Sequence, residues 1–410
     1  MKHQNNKRLA LNAIIRKIDA RVKTSLKDEN KALETFNQIK RILEKRLKNV
    51  KIFYCGSNAR GTGIGKPDVD IFIRFDNEKN MFEKLEEAAY GITEWTKNYA
   101  SHPYLKGKYN DFDVELVPCL EFKKKIQSAV DRTIVHQKFM LKNLNEEQKQ
   151  EIRVLKQLLK TQEIYGAEPP AHGFSGYLVE CLIHYFKDLN GMLEFEFKEN
   201  SYIGKNDKEF PESVFTVIDP IDKERNVAAV VSKEAYSKFI QTLKKLKENP
   251  SETLFFNNTS KKTTVKGEWI EVTLEKTEEV QEIVLSYSLK VLNGIKNNLE
   301  KNGFTVLYNR LEEKNNQILL EFMLDTNKIE FKQVVGPEIN NQRALKNFSK
   351  AKKIAGPFIE GMNYTIIVKP KNTQAIEVVK TYLKTGILKK EIAIIKKIIS
   401  KKSGTILKEN

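Results

Sequence analysis

The stretch Cys55–Phe75, CGSNARGTGIGKPDVDIFIRF, decides how the N-terminal part of this chain folds. Its second half, DVDIFIRF, alternates apolar and polar residues with the two-residue period of a half-buried strand. Val69, Ile71, Ile73 and Phe75 fall on one face; Asp68, Asp70 and Phe72 fall on the other. Two carboxylates placed at i and i+2 of a strand point the same way. Their charges repel, and a divalent cation held between them removes that cost. Ahead of them, KIFYC reads as a short strand ending at Gly56. A helix starting there would turn free backbone N–H groups toward an anion at Gly56-Ser57. Gly61, Gly63 and Gly65 let the backbone come close to a ligand. The spacing therefore suits phosphates on the turn, metal on the strand, and a nucleophile between them.

Outward from this stretch, residues 29–48 carry Leu33, Phe36, Ile39, Leu43 and Leu47 at three- and four-residue intervals, the pattern of an amphipathic helix. A helix over about Glu83–Tyr99 and a strand at DFDVELVPC complete an α/β unit. On that last strand Asp111, Asp113 and Glu115 share one face, with Val114 and Leu116 on the other. A two-metal centre needs such a third carboxylate, one metal activating a hydroxyl and the other holding a triphosphate.

With 410 residues the chain is long enough for two or three domains. The excess of 71 Lys+Arg over 54 Asp+Glu gives a net charge of +17, which suits a polyanionic partner such as nucleic acid. A lysine-rich surface without such a partner is the plainer reading. Three widely spaced cysteines make neither a disulfide framework nor a zinc site, and they fit a reducing cytoplasm. His102, His172 and His184 are too scattered for zinc. The basic N-terminus has no apolar core of signal-peptide length, and no apolar run reaches bilayer-spanning length.

After Asn145 the periodicity becomes helical: EEQKQEIRVLKQLLKTQEIYG, then GFSGYLVECLIHYF beyond the Pro169-Pro170 turn, then KEAYSKFIQTLKKLKEN. ESVFTVIDP reads as a strand between the last two, and Asn249-Pro250-Ser251 as a boundary. The remainder mixes strands (EWIEVTL, NQILLEFML, YTIIVKP) with a helix at VQEIVLSYSLKVLNGIKNNLEKNG and a final helix around Leu383–Lys401. The domains expected are 1–144, 145–255 and 256–410.

The composite of GS, ten residues and DxD, then a helix and an acidic strand, resembles the nucleotidyltransferase superfamily typified by DNA polymerase beta. LVPC (116–119), SAVDRTIVHQKF (128–139), GFSGYLVE (173–180) and VIDPIDKERNVAA (217–229) look like the archaeal, class I, CCA-adding tRNA nucleotidyltransferases. That resemblance implies an α+β multidomain protein: a polymerase-beta-like palm, a mostly helical central domain and an α+β C-terminal RNA-binding region. It implies template-independent, Mg²⁺-dependent addition of CCA to tRNA from CTP and ATP, with pyrophosphate released, and a homodimer is left open. Asp68, Asp70 and Glu115 match the catalytic metal ligands. The family commonly has Glu at the first position and Asp at the third, so Asp113 is left as a partner or alternative to Glu115. Gly56, Ser57, Arg60, His136, Lys156, Tyr165, Ser175, Tyr177 and Arg225 match residues expected around the nucleotide.

Read without the resemblance, Tyr165 and Tyr177 are packing residues, Lys156 a snorkelling lysine, Arg225 a turn charge, and His136 a surface histidine or phosphate contact. Two other functions compete: a poly(A) polymerase-like RNA nucleotidyltransferase, and a tRNA-binding protein whose catalytic unit has decayed.

Overall fold

The alternating stretch forms β2 (Val69–Phe75), which pairs antiparallel with β1 (Val50–Cys55) from Val50–Phe75 to Cys55–Asp70. The computed structural model describes residues 2–76, 79–99, 103–121, 130–168, 171–206, 208–256, 261–277, 281–385 and 392–408. His102, Lys123 to Lys125, the start of the SAVDR segment and the Pro169-Pro170 turn lie outside these. The chain divides into two compact units, Met1–Asn258 and Thr259–Asn410.

In the first unit α1 (Lys2–Val22) and α2 (Leu26–Arg46) precede β1. Then come α3 (Gly56–Ala59), β2, α4 (Met81–Ala89), β3 (Trp95–Tyr99), β4 (Pro103–Tyr109) and β5 (Phe112–Cys119). The sheet order is β1-β2-β5-β4-β3, with β2 and β5 parallel and the other pairs antiparallel. Val69, Ile71, Ile73 and Phe75 meet Phe112, Val114 and Leu116 in the core under α2 and α4, so both strands carry their acidic side chains away from that core. Each aliphatic side chain fully buried there contributes about 2 kcal/mol.

The expected helix over Glu83–Tyr99 is shorter and earlier. It ends at Ala89 because Gly91 takes φ +74°, and Trp95–Tyr99 pairs with β4 as a hairpin on the sheet edge. In α2 the buried face is Ala32, Thr35, Phe36, Ile39 and Leu43, while Leu33 is exposed.

A second core is helical. It is built by α5 (Thr133–Asn143), α6 (Glu146–Thr161), α7 (Gly176–Phe186), α8 (Leu189–Glu194), α9 (Lys233–Glu248) and α10 (Thr253–Phe256). Polar caps start these helices: Asn145 and Gln148 form a capping box on α6, and Ser175, Asp188 and Ser232 cap α7, α8 and α9. The strand expected at ESVFTVIDP shrinks to β7 (Thr216–Val217), paired with β6 (Tyr202–Ile203). Although first in sequence, α1 places Leu11, Ile15, Ile18 and Val22 in this helical core.

The second unit has a four-stranded sheet ordered β14-β8-β10-β9 and a three-stranded sheet ordered β11-β13-β12. The chain runs β8 (Lys261–Lys276), α11 (Gln281–Lys301), β9 (Val306–Lys314), β10 (Gln317–Leu324), β11 (Lys332–Glu338), α12 (Gln342–Phe348), β12 (Ala355–Glu360), β13 (Asn363–Val368), α13 (Ala375–Leu383) and β14 (Ala393–Lys408). The final helix expected around Leu383–Lys401 is corrected: α13 ends at Leu383, and Ala393–Lys408 is a strand on β8. A bulge between Ile395 and Lys397 puts Ala393, Ile395 and Ile398 on one core, a two-then-three spacing that imitates a helical stripe.

Candidate functional site

The parallel pairing of β2 with β5 sets Asp70 opposite Glu115, with Asp68 one residue before β2. Burial, then the charges of Glu115 and Asp68, push the Asp70 carboxyl up to about 7. Asp68 is raised by burial and then by Asp113. Asp70 therefore feels both Glu115 and Asp68, and Asp68 in turn feels Asp113; of the two acids on β5, Glu115 is the one acting on Asp70. Lys106 Nζ stands 3.2 Å from Glu115 Oε1, and its charge opposes the rise at both aspartates. Among the described residues no three His, Cys, Asp or Glu side chains are already drawn into a metal-holding group.

The turn before β2 touches these carboxylates. Gly56 has φ +80°, and a Cβ there would lie 1.8 Å from Asp70 Oδ2. Only glycine fits this approach. The Ser57 carbonyl accepts the Arg60 and Thr62 N–H groups, and Asn58 Nδ2 donates to the Asp68 carbonyl at 3.1 Å, so the turn is tied to the start of β2. Gly65 N–H donates to the Val22 carbonyl and Arg153 Nη1 to the Gly61 carbonyl, which fixes the turn's far end to α1 and α6.

Arg60 and Lys156 meet at a carboxylate absent from the sequence-based set, Glu180. Arg60 Nε lies 3.0 Å from Glu180 Oε2, Thr62 Oγ1 donates to Oε1 at 2.5 Å, and Lys156 Nζ lies 3.7 Å from Oε1. Arg60 Nη1 also donates to Gln137, and Lys156 Nζ to the Thr62 carbonyl at 2.9 Å. Lys156 is thus not a snorkelling residue; it is buried with its ammonium inside. The helix start at Ser175-Gly176 lies against this cluster: a Cβ on Gly176 would sit 3.1 Å from the Tyr165 hydroxyl and 3.5 Å from Lys156 Nζ. Ser175 Oγ itself accepts the Leu178 N–H as the cap of α7.

His136, Tyr177 and Arg225 come together at a second carboxylate the sequence reading passed over, Asp219. Tyr177 OH donates to Oδ1 at 3.0 Å, Arg225 Nη1 donates to Oδ2 at 2.8 Å, and His136 Nε2 stands 3.0 Å from Oδ2. The His136 and Tyr177 rings stack 4.0 Å apart. Burial lowers His136 against the opposing pull of Asp219, whereas the His136, Ile221 and Arg225 donors overcome burial and hold Asp219 well below the usual carboxylate range. The Arg225 side chain keeps 34% exposure, so part of its donor fork remains accessible.

All twelve residues singled out from sequence therefore fall into three neighbouring groups: the carboxylates with the Gly56-Ser57 turn, the Glu180 group, and the Asp219 group. α7 links the last two, since it carries both Tyr177 and Glu180. A signal for Glu180 was present: it is the one acid in the apolar run LVECLI. A cavity of about 590 Å³ lined by Arg46, Lys48, Phe75, Asp76, Lys84 and Glu87 opens where Val50 pairs with Phe75, at the opposite end of β1 and β2 from Asp70. It takes no part in this constellation. Among the described residues no helix is long and apolar enough to cross a membrane.

Three family descriptions match successive parts of the chain: a nucleotidyltransferase domain over 36–136, the second domain of tRNA nucleotidyltransferase over 150–256, and the C-terminal domain of the CCA-adding enzyme over 267–399. The CCA-adding enzyme of Pyrobaculum islandicum is 32% identical over 350 residues, 81% of this chain and 82% of the relative. That of Methanocaldococcus jannaschii is 32% identical over 384 residues, 83% of this chain and 84% of the relative. The Picrophilus torridus enzyme is 30% identical over 319 residues, 74% of each.

Proposed function

Because the chain belongs to the archaeal CCA-adding tRNA nucleotidyltransferases, we propose that it completes the 3′ end of tRNA from CTP and ATP at a Mg²⁺ centre formed by Asp68, Asp70 and Glu115. The observation that carries this reading is the register of Asp70 with Glu115 beside Gly56, which puts mutually repelling carboxylates against the turn. Such a donor set suits a hard divalent cation, because oxygen ligands of like charge gain most from one. When bound, the metal supplies positive charge to the triphosphate and to the attacking 3′ hydroxyl.

The chain's own residues do the rest. Gly56 and Ser57 bring backbone against the phosphates. Arg60 and Lys156 add the cationic charge of the Glu180 group, and Tyr165 and Ser175 lie along the same edge. His136 and Tyr177 form a stacked floor for base or ribose. Arg225 reaches the base: cytosine and adenine each offer an acceptor beside an amino group, whereas guanine and uracil present an N–H there instead. Residues 1–144 would form the catalytic domain, 145–255 the nucleotide- and tRNA-binding domain, and 256–410 the tRNA-binding body, acting in the cytoplasm with a homodimer as one open assembly.

The test incubates the protein with a tRNA ending at its discriminator base, CTP, ATP and Mg²⁺. Addition of C, C and A followed by a stop is expected; a long A tail would instead make it a poly(A) polymerase. Asp70→Asn should lower addition by at least about 1,000-fold while tRNA affinity changes less than about twofold. If addition persists, the metal centre lies elsewhere; if wild type binds tRNA without adding nucleotides, the catalytic unit has decayed.

A further inference from the structure

Glu180 is fully buried and is the shared partner of two cations that approach it from different elements, Arg60 from the glycine turn and Lys156 from α6. Lys156 is itself only 1% exposed. We propose that Glu180 is a positioning residue for nucleotide binding: its carboxylate keeps the Lys156 ammonium and the Arg60 guanidinium together, charged and fixed against the Thr62 backbone, so that the group offers one net positive charge to the triphosphate. The proposal rests on Lys156 being a nucleotide contact.

The physical reason is the cost of isolated buried charge. Two cations and one anion leave a surplus of one; without the anion, two like charges would share a dry site. An arginine cannot shed its proton, so the relief would fall on the lysine. Burial has already brought Lys156 down to about 8, with Arg60 and Arg153 pushing the same way and Glu180 opposing them. Of the groups facing Lys156, Arg153 is matched by Asp19 in a two-bond pair, with Nε 2.6 Å and Nη2 2.9 Å from the carboxylate. The Tyr165 hydroxyl is pushed up to about 12 and stays neutral. Among the described residues Glu180 is an acid that acts on Lys156, and it opposes the loss of the ammonium at neutral pH.

The experiment measures KM and kcat for CTP on the full-length protein with tRNA between about pH 6.5 and 9.5. In wild type KM should be flat up to about pH 7, turn upward near pH 8 and rise at least fivefold by about pH 9.5 as the ammonium is lost. In Lys156→Arg that rise should vanish. In Glu180→Gln the rise should begin at least about one pH unit lower, with KM affected more than kcat. A part that only held the fold together would lower the active fraction and leave the break where it was. A flat wild-type profile, or a Glu180→Gln break unmoved from wild type, overturns the proposal. Should Glu180→Gln not fold, the milder Glu180→Asp takes its place: a KM break moved to lower pH, with KM affected more than kcat, supports the proposal, and a break unmoved from wild type overturns it. Lys156→Met with a wild-type KM would refute the nucleotide contact itself. A raised KM there, with an unmoved Glu180→Gln break, refutes only the positioning role.

Discussion

Gly56 shows how a single absent side chain shapes this site. Its left-handed backbone and the 1.8 Å that a Cβ would leave to Asp70 Oδ2 make two separate demands for glycine. Gly56→Ala should cost about 1–2 kcal/mol in backbone strain. It should also displace the Asp70 carboxylate, lowering CCA addition by roughly 100-fold or more. Steady-state kinetics with tRNA, alongside a melting curve, separate the two losses; activity within about twofold of wild type would mean that Asp70 tolerates the shift. Asp219 makes the complementary point. Its neighbours His136, Tyr177 and Arg225 were visible in sequence as separate hints. Their common anchor was hidden in an ordinary Asp-Pro turn, because nothing in the order of residues says that three side chains from α5, α7 and the 219–225 turn converge there.

At the scale of elements, the long helices with a continuous apolar face were legible from sequence, while the short α8 and the β3–β4 pairing at the sheet edge were not. An apolar face is a local pattern, Ile152, Leu155, Leu158 and Leu159 recurring at helical spacing, and the Asn145–Gln148 capping box that starts the same helix is seen in the structure. The antiparallel strands Trp95–Tyr99 and Pro103–Tyr109 depend on pairing to a neighbour, and their residues carry no clean alternation. One element carries a pH prediction. Glu151 on α6 accepts the Leu189 N–H at the start of α8 with Oε2 at 2.7 Å. Burial, together with Asp188 and Glu147 and against that N–H, raises its carboxyl from an ordinary 4.5 to about 7. The folded state then binds this proton more tightly than the unfolded chain does. Its stabilising contribution is complete below about pH 4.5 and is lost as pH rises through about 7. Glu151→Gln keeps the acceptor and removes the charge, so at about pH 8 the first unit should gain about 1 kcal/mol, after allowance for solvent screening, and melt a few degrees higher. The two proteins should melt alike at about pH 4.5; a constant offset at every pH would point to packing instead.

For the molecule as a whole, the net charge of +17 and the tRNA substrate lead to a salt prediction. Each phosphate neutralised by lysine or arginine releases bound counterions, so tRNA affinity should fall at least tenfold between about 50 and 200 mM salt, on a straight line in log–log form. Filter binding or fluorescence titration reads the slope. A flat response would mean that the lysine excess is mere solvation. Charge composition could forecast this because long-range electrostatics depends on totals. The arrangement of β14 could not be forecast, because a bulge shifts the period that sequence reading relies on, and only its pairing along β8 reveals it as a strand.

The sequence by itself determined the chemistry. DxD on an alternating strand, a glycine-rich turn ahead of it, and an acidic strand with the same alternation are local patterns, and local patterns are fixed by bonded geometry. Tertiary structure alone decided which charges face one another. The pairing of Asp70 with Glu115 in preference to Asp113, the burial of Lys156 beside Glu180, and the gathering at Asp219 all join residues far apart in the chain. Burial and electrostatic coupling depend on distance through space, which residue order does not contain.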